Sequence, residues 1–276
     1  MSLPFDTLKP RGPARIVDHG CSGMVSVYMH NERFVLKGYE VWLDERCYGK
    51  IGNADSKATL ALEDAVYQRL GSHPHILKYH GKVLIREATY SLKLERALGN
   101  LQKLILECPP PTEQTRLEMA IQIACGMAHM HSKIVFHCDF RCRNVFVFDD
   151  WLLKIGDFGG SMIDGQEPLA GEEIRYQLPL RGRGWESVDD TKREIFALGR
   201  GIYEIMAWKA SFQEMTEAQV VEKYANEEFP DTDGLLVGNI IRACWNENFE
   251  VAADVEIALR EKLVDTWEEG SSSQSW

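Results

Sequence analysis

No stretch of this 276-residue chain is apolar for long enough to read as a membrane span, and its opening, Met-Ser-Leu-Pro-Phe-Asp, has neither a basic region followed by an apolar one nor a lipidation signal. Positive charge is in deficit. With 31 lysines and arginines against 42 aspartates and glutamates, the formal net charge is -11, which argues against general nucleic-acid binding. The seven cysteines show no paired spacing and an odd total, which argues against a disulfide framework and fits a reducing compartment. These absences lead to the expectation of a soluble, monomeric, cytoplasmic protein, nuclear access left open, with no membrane or nucleic-acid partner. What the chain does have is 45% hydrophobic content, ample for a large core, and no composition shift that would divide it.

The stretch richest in chemistry runs His137-Cys138-Asp139-Phe140-Arg141-Cys142-Arg143-Asn144, followed by Asp157-Phe158-Gly159. It reads as a phosphoryl-transfer site: Asp139 to accept a proton from an attacking hydroxyl, Asn144 to offer a carbonyl oxygen to a hard cation, and Asp157 to supply a second oxygen. Between them, 145–147 and 152–155 are short apolar runs joined across Asp149-Asp150. Such a pattern predicts a β-hairpin whose open end brings Asn144 and Asp157 together.

These two motifs, in order and at this separation, resemble the His-Arg-Asp catalytic loop and the Asp-Phe-Gly triplet of eukaryotic protein kinases, a likeness that extends over about residues 15–265. In size and abbreviated ends the chain is also similar to compact single-domain kinase-like proteins of filamentous fungi. The resemblance implies an α+β, bilobal fold, with a small, mainly antiparallel β lobe carrying a helix (about 15–98) and a larger helical lobe (about 99–267). Residues 1–14 would be an extended lead-in and 268–276 a flexible tail.

Upstream, 16–27 looks like the glycine-rich loop, with Gly20, Gly23 and Val25 against ATP and Asp18 where the family has its first glycine. Arg33-Phe34-Val35-Leu36-Lys37 is similar to the strand that ends in the phosphate-contacting lysine. Helical periodicity over 57–70 places Leu62, Val66 and Leu70 on one face, with Gly71 as C-cap. Glu63 would pair with Lys37. At ~4 Å and an effective dielectric of about 20 that attraction is about 4 kcal/mol before desolvation, enough to orient a side chain but not to hold a fold. By the same resemblance Val35 and Phe146 would line the adenine site, Leu94 would be the gatekeeper, and Glu95 and Ala97 would offer backbone groups.

Thr112 is the expected N-cap of a helix ending near Ser132, and 194–208 reads as a buried helix, with Glu194 where the family usually has Asp. Cys138 replaces the arginine that in many kinases grips a phosphorylated activation segment, which implies activity that does not wait for that phosphorylation. Leu178-Pro179-Leu180 stands for the family's Ala-Pro-Glu, and no arginine follows Cys244-Trp245. Both halves of an ion pair are therefore expected to be missing together, which is compatible with a sound fold.

The implied function is transfer of the ATP γ-phosphoryl group, with Mg2+, to a protein hydroxyl. Serine or threonine is favoured and tyrosine left open, since Arg141 stands where serine/threonine kinases usually carry Lys and many tyrosine kinases Arg. Asp139, Arg141, Lys37 and Glu63 are the candidate catalytic group, and Asn144 and Asp157 the metal ligands. A pseudokinase is the alternative, supported by Asp18, Cys138 and Leu178-Pro179-Leu180. A small-molecule kinase of the aminoglycoside phosphotransferase type is the second. Cys21, Cys138 and Cys142 read first as packed, inert thiols, with redox control the alternative that Arg141 and Arg143 beside Cys142 raise, whereas the spacings of His129, His131, His137, Cys138 and Cys142 fit no usual zinc pattern.

Overall fold

A computed structural model describes residues 16–19, 26–29, 33–38, 41–43, 46–48, 54–86, 89–169 and 171–272. The chain opens with β1 (Ile16–His19), β2 (Ser26–Met29) and β3 (Phe34–Gly38), a ribbon of β4 (Val41–Leu43) and β5 (Arg46–Tyr48), helix α1 (Ala54–Leu70), then β6 (Tyr79–Arg86) and β7 (Thr89–Glu95). One antiparallel sheet takes the order β1-β2-β3-β7-β6, with Val35 opposite Leu94 and Lys37 opposite Leu92. In β3, Val35, Leu36 and Lys37 are all buried, so the lysine is drawn into the structure and is not a solvated strand end.

Helix α1 buries Leu60, Glu63, Val66, Tyr67 and Leu70, a stripe at three- and four-residue spacing. Leu62, which the periodicity places on that face, is only partly buried, because the stripe is centred on Glu63. Gly71 closes the helix in the left-handed region (φ 65°), its N–H bonding the Tyr67 carbonyl at 3.0 Å, as a C-cap glycine does.

The larger part comprises β8 (Gly99–Asn100), α2 (Leu101–Glu107), α3 (Glu113–Ser132), β9 (Val135–Phe136), β10 (Val145–Val147), β11 (Leu153–Ile155), β12 (Met162–Ile163), α4 (Asp190–Ala207), α5 (Glu217–Ala225), α6 (Gly238–Trp245) and α7 (Ala252–Ser272). Its axis is α4, buried without interruption from Arg193 to Met206 between α3 and α6. Gly199 permits the close approach: a Cβ there would sit 2.5 Å from Cys244 Cβ. Asn100 and Thr112 cap α2 and α3 through their side-chain oxygens. Helix α7 runs through Ser272, four residues past the start of the tail expected from 268. Among the described residues no helix is long and apolar enough to cross a membrane.

Candidate active site

β10 and β11 form the hairpin, Val145 opposite Ile155 and Val147 opposite Leu153, because each buries two residues of its alternation and Asp149–Trp151 make the turn. At the open end the Gly156 N–H bonds the Asn144 carbonyl at 3.0 Å, so Asn144 and Asp157 leave the hairpin side by side.

Lys37 Nζ lies between two carboxylates, 2.6 Å from Glu63 Oε2 and 2.5 Å from Asp157 Oδ1. Burial works against the charged lysine, but Asp157 and then Glu63 outweigh it and raise its pKa above the ordinary value. Burial raises Glu63, with Lys37 offsetting only part of the effect. Asp157 also loses hydration, yet its contact with Lys37 holds it below the usual carboxylate range. Its side chain keeps 30% accessibility, so it is not sealed off by Lys37.

Asp139 Oδ2 accepts from Arg141 Nη2 at 3.1 Å and from Asn144 Nδ2 at 3.2 Å, and the same Nδ2 donates to the Asp139 carbonyl at 2.8 Å. With its amide nitrogen so used, Asn144 has its side-chain oxygen left for a cation. Burial pushes the Asp139 carboxyl above its usual range, and the neighbouring Arg141 only partly opposes this. Asn144 and Asp157 therefore fit a hard divalent cation of the kind that takes one or two protein oxygens and completes its shell from phosphates and water. Among the described residues no group of three or more His, Cys, Asp or Glu is gathered as a self-sufficient metal site.

Aromatic packing joins α1 to the catalytic loop. Tyr67 meets Phe158 edge-on at 5.0 Å, Phe158 meets His137 at 5.4 Å, and His137 Nε2 lies 3.1 Å from the Gly156 carbonyl. From below, Glu194 accepts the Cys138 N–H at 2.8 Å and pairs with His131 at 2.9 Å. His131 was legible only as a poor zinc candidate; nothing in its spacing pointed to Glu194.

The other expected positions scatter around the cleft. Val35 is buried on β3 opposite the buried Leu94, and Phe146 on β10 would lie 3.0 Å from a Cβ at Gly156. Glu95 spends its N–H on the Lys78 carbonyl and its carboxylate on Lys154 (2.7 and 2.9 Å), so of its backbone only the carbonyl can serve a ligand. Ala97 lies in a connection pinned by Arg96 N–H to Arg33 and Leu98 N–H to Val147. Gly20, Gly23 and Val25 lie outside the described residues, as does Cys21; Asp18 is placed only as a β1 residue.

The thiols follow the packed, inert reading, and a different ion pair stands where the family's own is absent. Burial raises the thiol pKa of both Cys138 and Cys142, with Glu194 and Glu204 adding to it, so the adjacent arginines do not create reactive thiolates. The ion pair at the end of the activation segment is not lost but reversed in sign, with Arg181 and Arg183 on the segment and Glu247 after α6. An acidic residue beside Cys244-Trp245, facing an Arg-x-Arg, was the signal for it.

A lysine held by two carboxylates, a buried carboxylate beside an arginine, and paired Asn and Asp oxygens define the class as a phosphotransferase with a bilobal kinase fold. A family model described as protein tyrosine and serine/threonine kinase matches residues 48–257, and the chain belongs to that family. Glu63, Asp139, Arg141, Asn144 and Asp157 fall within the match; Lys37 precedes it and rests on its geometry. Curated relatives include the human tyrosine-protein kinase FRK (27% identical, covering 76% of this chain and 44% of that protein) and the Arabidopsis thaliana serine/threonine/tyrosine-protein kinase HT1 (27%, 75% and 55%). The Dictyostelium discoideum dual specificity protein kinase shkA is 26% identical, over 70% of this chain and 40% of its own length. The chain thus spans about half the length of the curated relatives it matches.

Proposed function

We propose that this chain transfers the γ-phosphoryl group of ATP to a protein hydroxyl, and that it does so without prior phosphorylation of its activation segment. The observation that carries the first part is Lys37 seated between Glu63 and Asp157 while Asp139 stays within hydrogen-bond reach of Arg141 and Asn144. Lys37 would hold the α- and β-phosphates, with Glu63 fixing its direction. The acceptor oxygen attacks the γ-phosphorus as Asp139 takes the hydroxyl proton, the bond from the γ-phosphorus to the β–γ bridging oxygen breaks and ADP leaves, and Arg141 stabilises charge on the transferring group. Asn144 and Asp157 would hold Mg2+, which when bound neutralises charge on the β- and γ-phosphates.

The second part is supported by what the segment contains. Between Gly159 and Trp185 its hydroxyls are Ser161 and Tyr176, and both are buried, Ser161 bonding the His137 carbonyl and Tyr176 donating to Glu204 at 2.7 Å. Glu172, Glu194 and Asp190 surround Cys138, a field hostile to phosphate. Glu173 already supplies a carboxylate to Arg141 at 3.1 Å and to Arg175 at 3.4 Å. The reading is tested by radiolabel transfer from ATP to dephosphorylated casein, with phosphoamino-acid analysis reporting which hydroxyl is used. Absence of label above that of Asp139→Asn contradicts it.

A further inference from the structure

Helix α4 carries an arginine and a glutamate four residues apart, Arg200 and Glu204, and both are buried, Arg200 completely. Burial takes each out of water, so each needs partners inside the fold. Glu204 has them. Its Oε1 accepts the Ser211 N–H at 3.1 Å and the Ser211 hydroxyl at 2.8 Å, and its Oε2 accepts the Tyr176 hydroxyl at 2.7 Å. Arg200 does not: among the described residues neither its Nε nor either Nη has a hydrogen-bond partner. Its guanidinium instead lies 5.3 Å from the ring centroids of Phe212 and Trp245, 5.4 Å from that of Tyr224 and 5.9 Å from that of Tyr203. Such rings attract the charge but give its N–H groups no oxygen to donate to.

Residues four apart on a helix are surface neighbours, with Cβ atoms about 5–6 Å apart, so the carboxylate that Arg200 lacks is one turn away. What holds that carboxylate elsewhere is Tyr176, a residue of the activation segment whose oxygen also accepts the Cys142 N–H of the catalytic loop at 3.3 Å. The rings around Arg200 reach the same segment. Tyr224 donates to the Arg175 carbonyl at 2.6 Å, and Arg200 and Glu204 act on its hydroxyl with opposite sign. Consecutive segment residues, 175 and 176, are thus bonded to the cage of the arginine and to the glutamate it could pair with. A buried arginine without an acceptor biases the fold toward any arrangement that supplies one. Turning Glu204 Oε2 from Tyr176 to Arg200 supplies it and leaves Ser211 on Oε1. The bond given up is the one that ties the segment to α4.

We propose that Glu204 is the moving contact of a conformational switch, bonding Tyr176 in one arrangement, the one observed, and Arg200 in a second, in which Tyr176 has left the catalytic loop and residues 173–177 are released. The Arg200–Glu204 pair forms only in the released arrangement and sets its population. The switch lies within α4 and the segment. It does not depend on phosphoryl transfer or on the identity of any acceptor.

Amide exchange of the full chain reads the released arrangement at residues 142, 176 and 177, whose N–H groups bond the Tyr176 hydroxyl, the Glu173 carbonyl and the Ile174 carbonyl. Arg200→Met keeps an unbranched side chain among the rings and removes the charge. Exchange at the three amides is expected to fall about fivefold or more, with no loss in the unfolding midpoint. Glu204→Gln is the second variant, since its amide can still bond Ser211 and Tyr176 but offers the arginine no charge, and the same fall is expected. Tyr176→Phe frees Glu204, so exchange at residues 176 and 177 rises about tenfold with Arg200 and Glu204 both present, and less than about twofold in either charge-removing background. Exchange unchanged or faster in whichever of Arg200→Met and Glu204→Gln folds overturns the switch. So does a Tyr176→Phe effect of equal size with and without the charges.

Discussion

Glu194 on α4 accepts the backbone N–H of Cys138 at 2.8 Å, and Cys138 holds a φ of 61° directly before Asp139. The strained residue and the proposed base are thus adjacent, and a buried helix tethers the residue before it. Replacing Glu194 by Ala frees that N–H and leaves His131 without its partner. Displacement of the base by about 1 Å costs on the order of a hundredfold, so kcat is expected to fall by about that factor with KM for ATP little changed. Steady-state kinetics of Glu194→Ala, beside a folding control by near-ultraviolet circular dichroism, check it.

The Asp139 carboxyl is raised chiefly by burial. In the proposed role its ionised form is the base, so the acid limb of the kcat/KM profile is expected above the ordinary range for an exposed aspartate, with activity lost as pH falls through it. A pH–rate profile for phosphoryl transfer measures this directly. A limb at the value of an exposed aspartate contradicts the assignment.

Glu172 offers a test that needs no activity. Burial, with Glu194 and Asp190 adding to it, raises its carboxyl from about 4.5 to about 7, and among the described residues one of its oxygens has no hydrogen-bond partner. An acid whose folded-state pKa exceeds its unfolded one binds more proton when folded, so its contribution to stability falls as pH rises from about 4.5 to about 7 and is flat beyond. The variant Glu172→Gln is therefore expected to match the unmodified chain at low pH and to exceed it by up to about 3 kcal/mol above neutrality. Paired denaturant titrations across that range give the difference.

The family and the fold were legible because they are carried by short motifs whose spacing survives in one dimension. The hairpin could be read from two apolar runs around Asp149-Asp150, and the buried α4 from a helix apolar all round. Pairings between distant segments were not legible. Nothing local in His131 points to Glu194, or in Glu173 to Arg141, because the partners are brought together by packing of α3 on α4 and by the course of the activation segment. The pairs of Arg181 and Arg183 with Glu247 were not legible for a different reason: the family's pattern puts an arginine after Trp245, and the physics needs only opposite charge. Leu62 illustrates the limit of periodicity, since several stripes can be drawn on one helix and the buried one was set by Glu63.

Ser161 is nearly inaccessible. Substitution by alanine is expected to change turnover by less than about twofold, since a surface-independent role leaves only one weak hydrogen bond to lose. Phosphatase treatment of the purified chain is expected to leave its rate unchanged. Mass spectrometry of the segment, compared with turnover before and after treatment, measures both; a tenfold loss would mean that the segment is switched by phosphate after all.

The central claim is most directly tested with γ-labelled ATP, magnesium and a native cell extract, comparing the unmodified chain with Asp139→Asn and separating protein from small-molecule label. Label is expected in protein with the unmodified chain only. Label confined to small molecules, or no difference between the two chains, contradicts it.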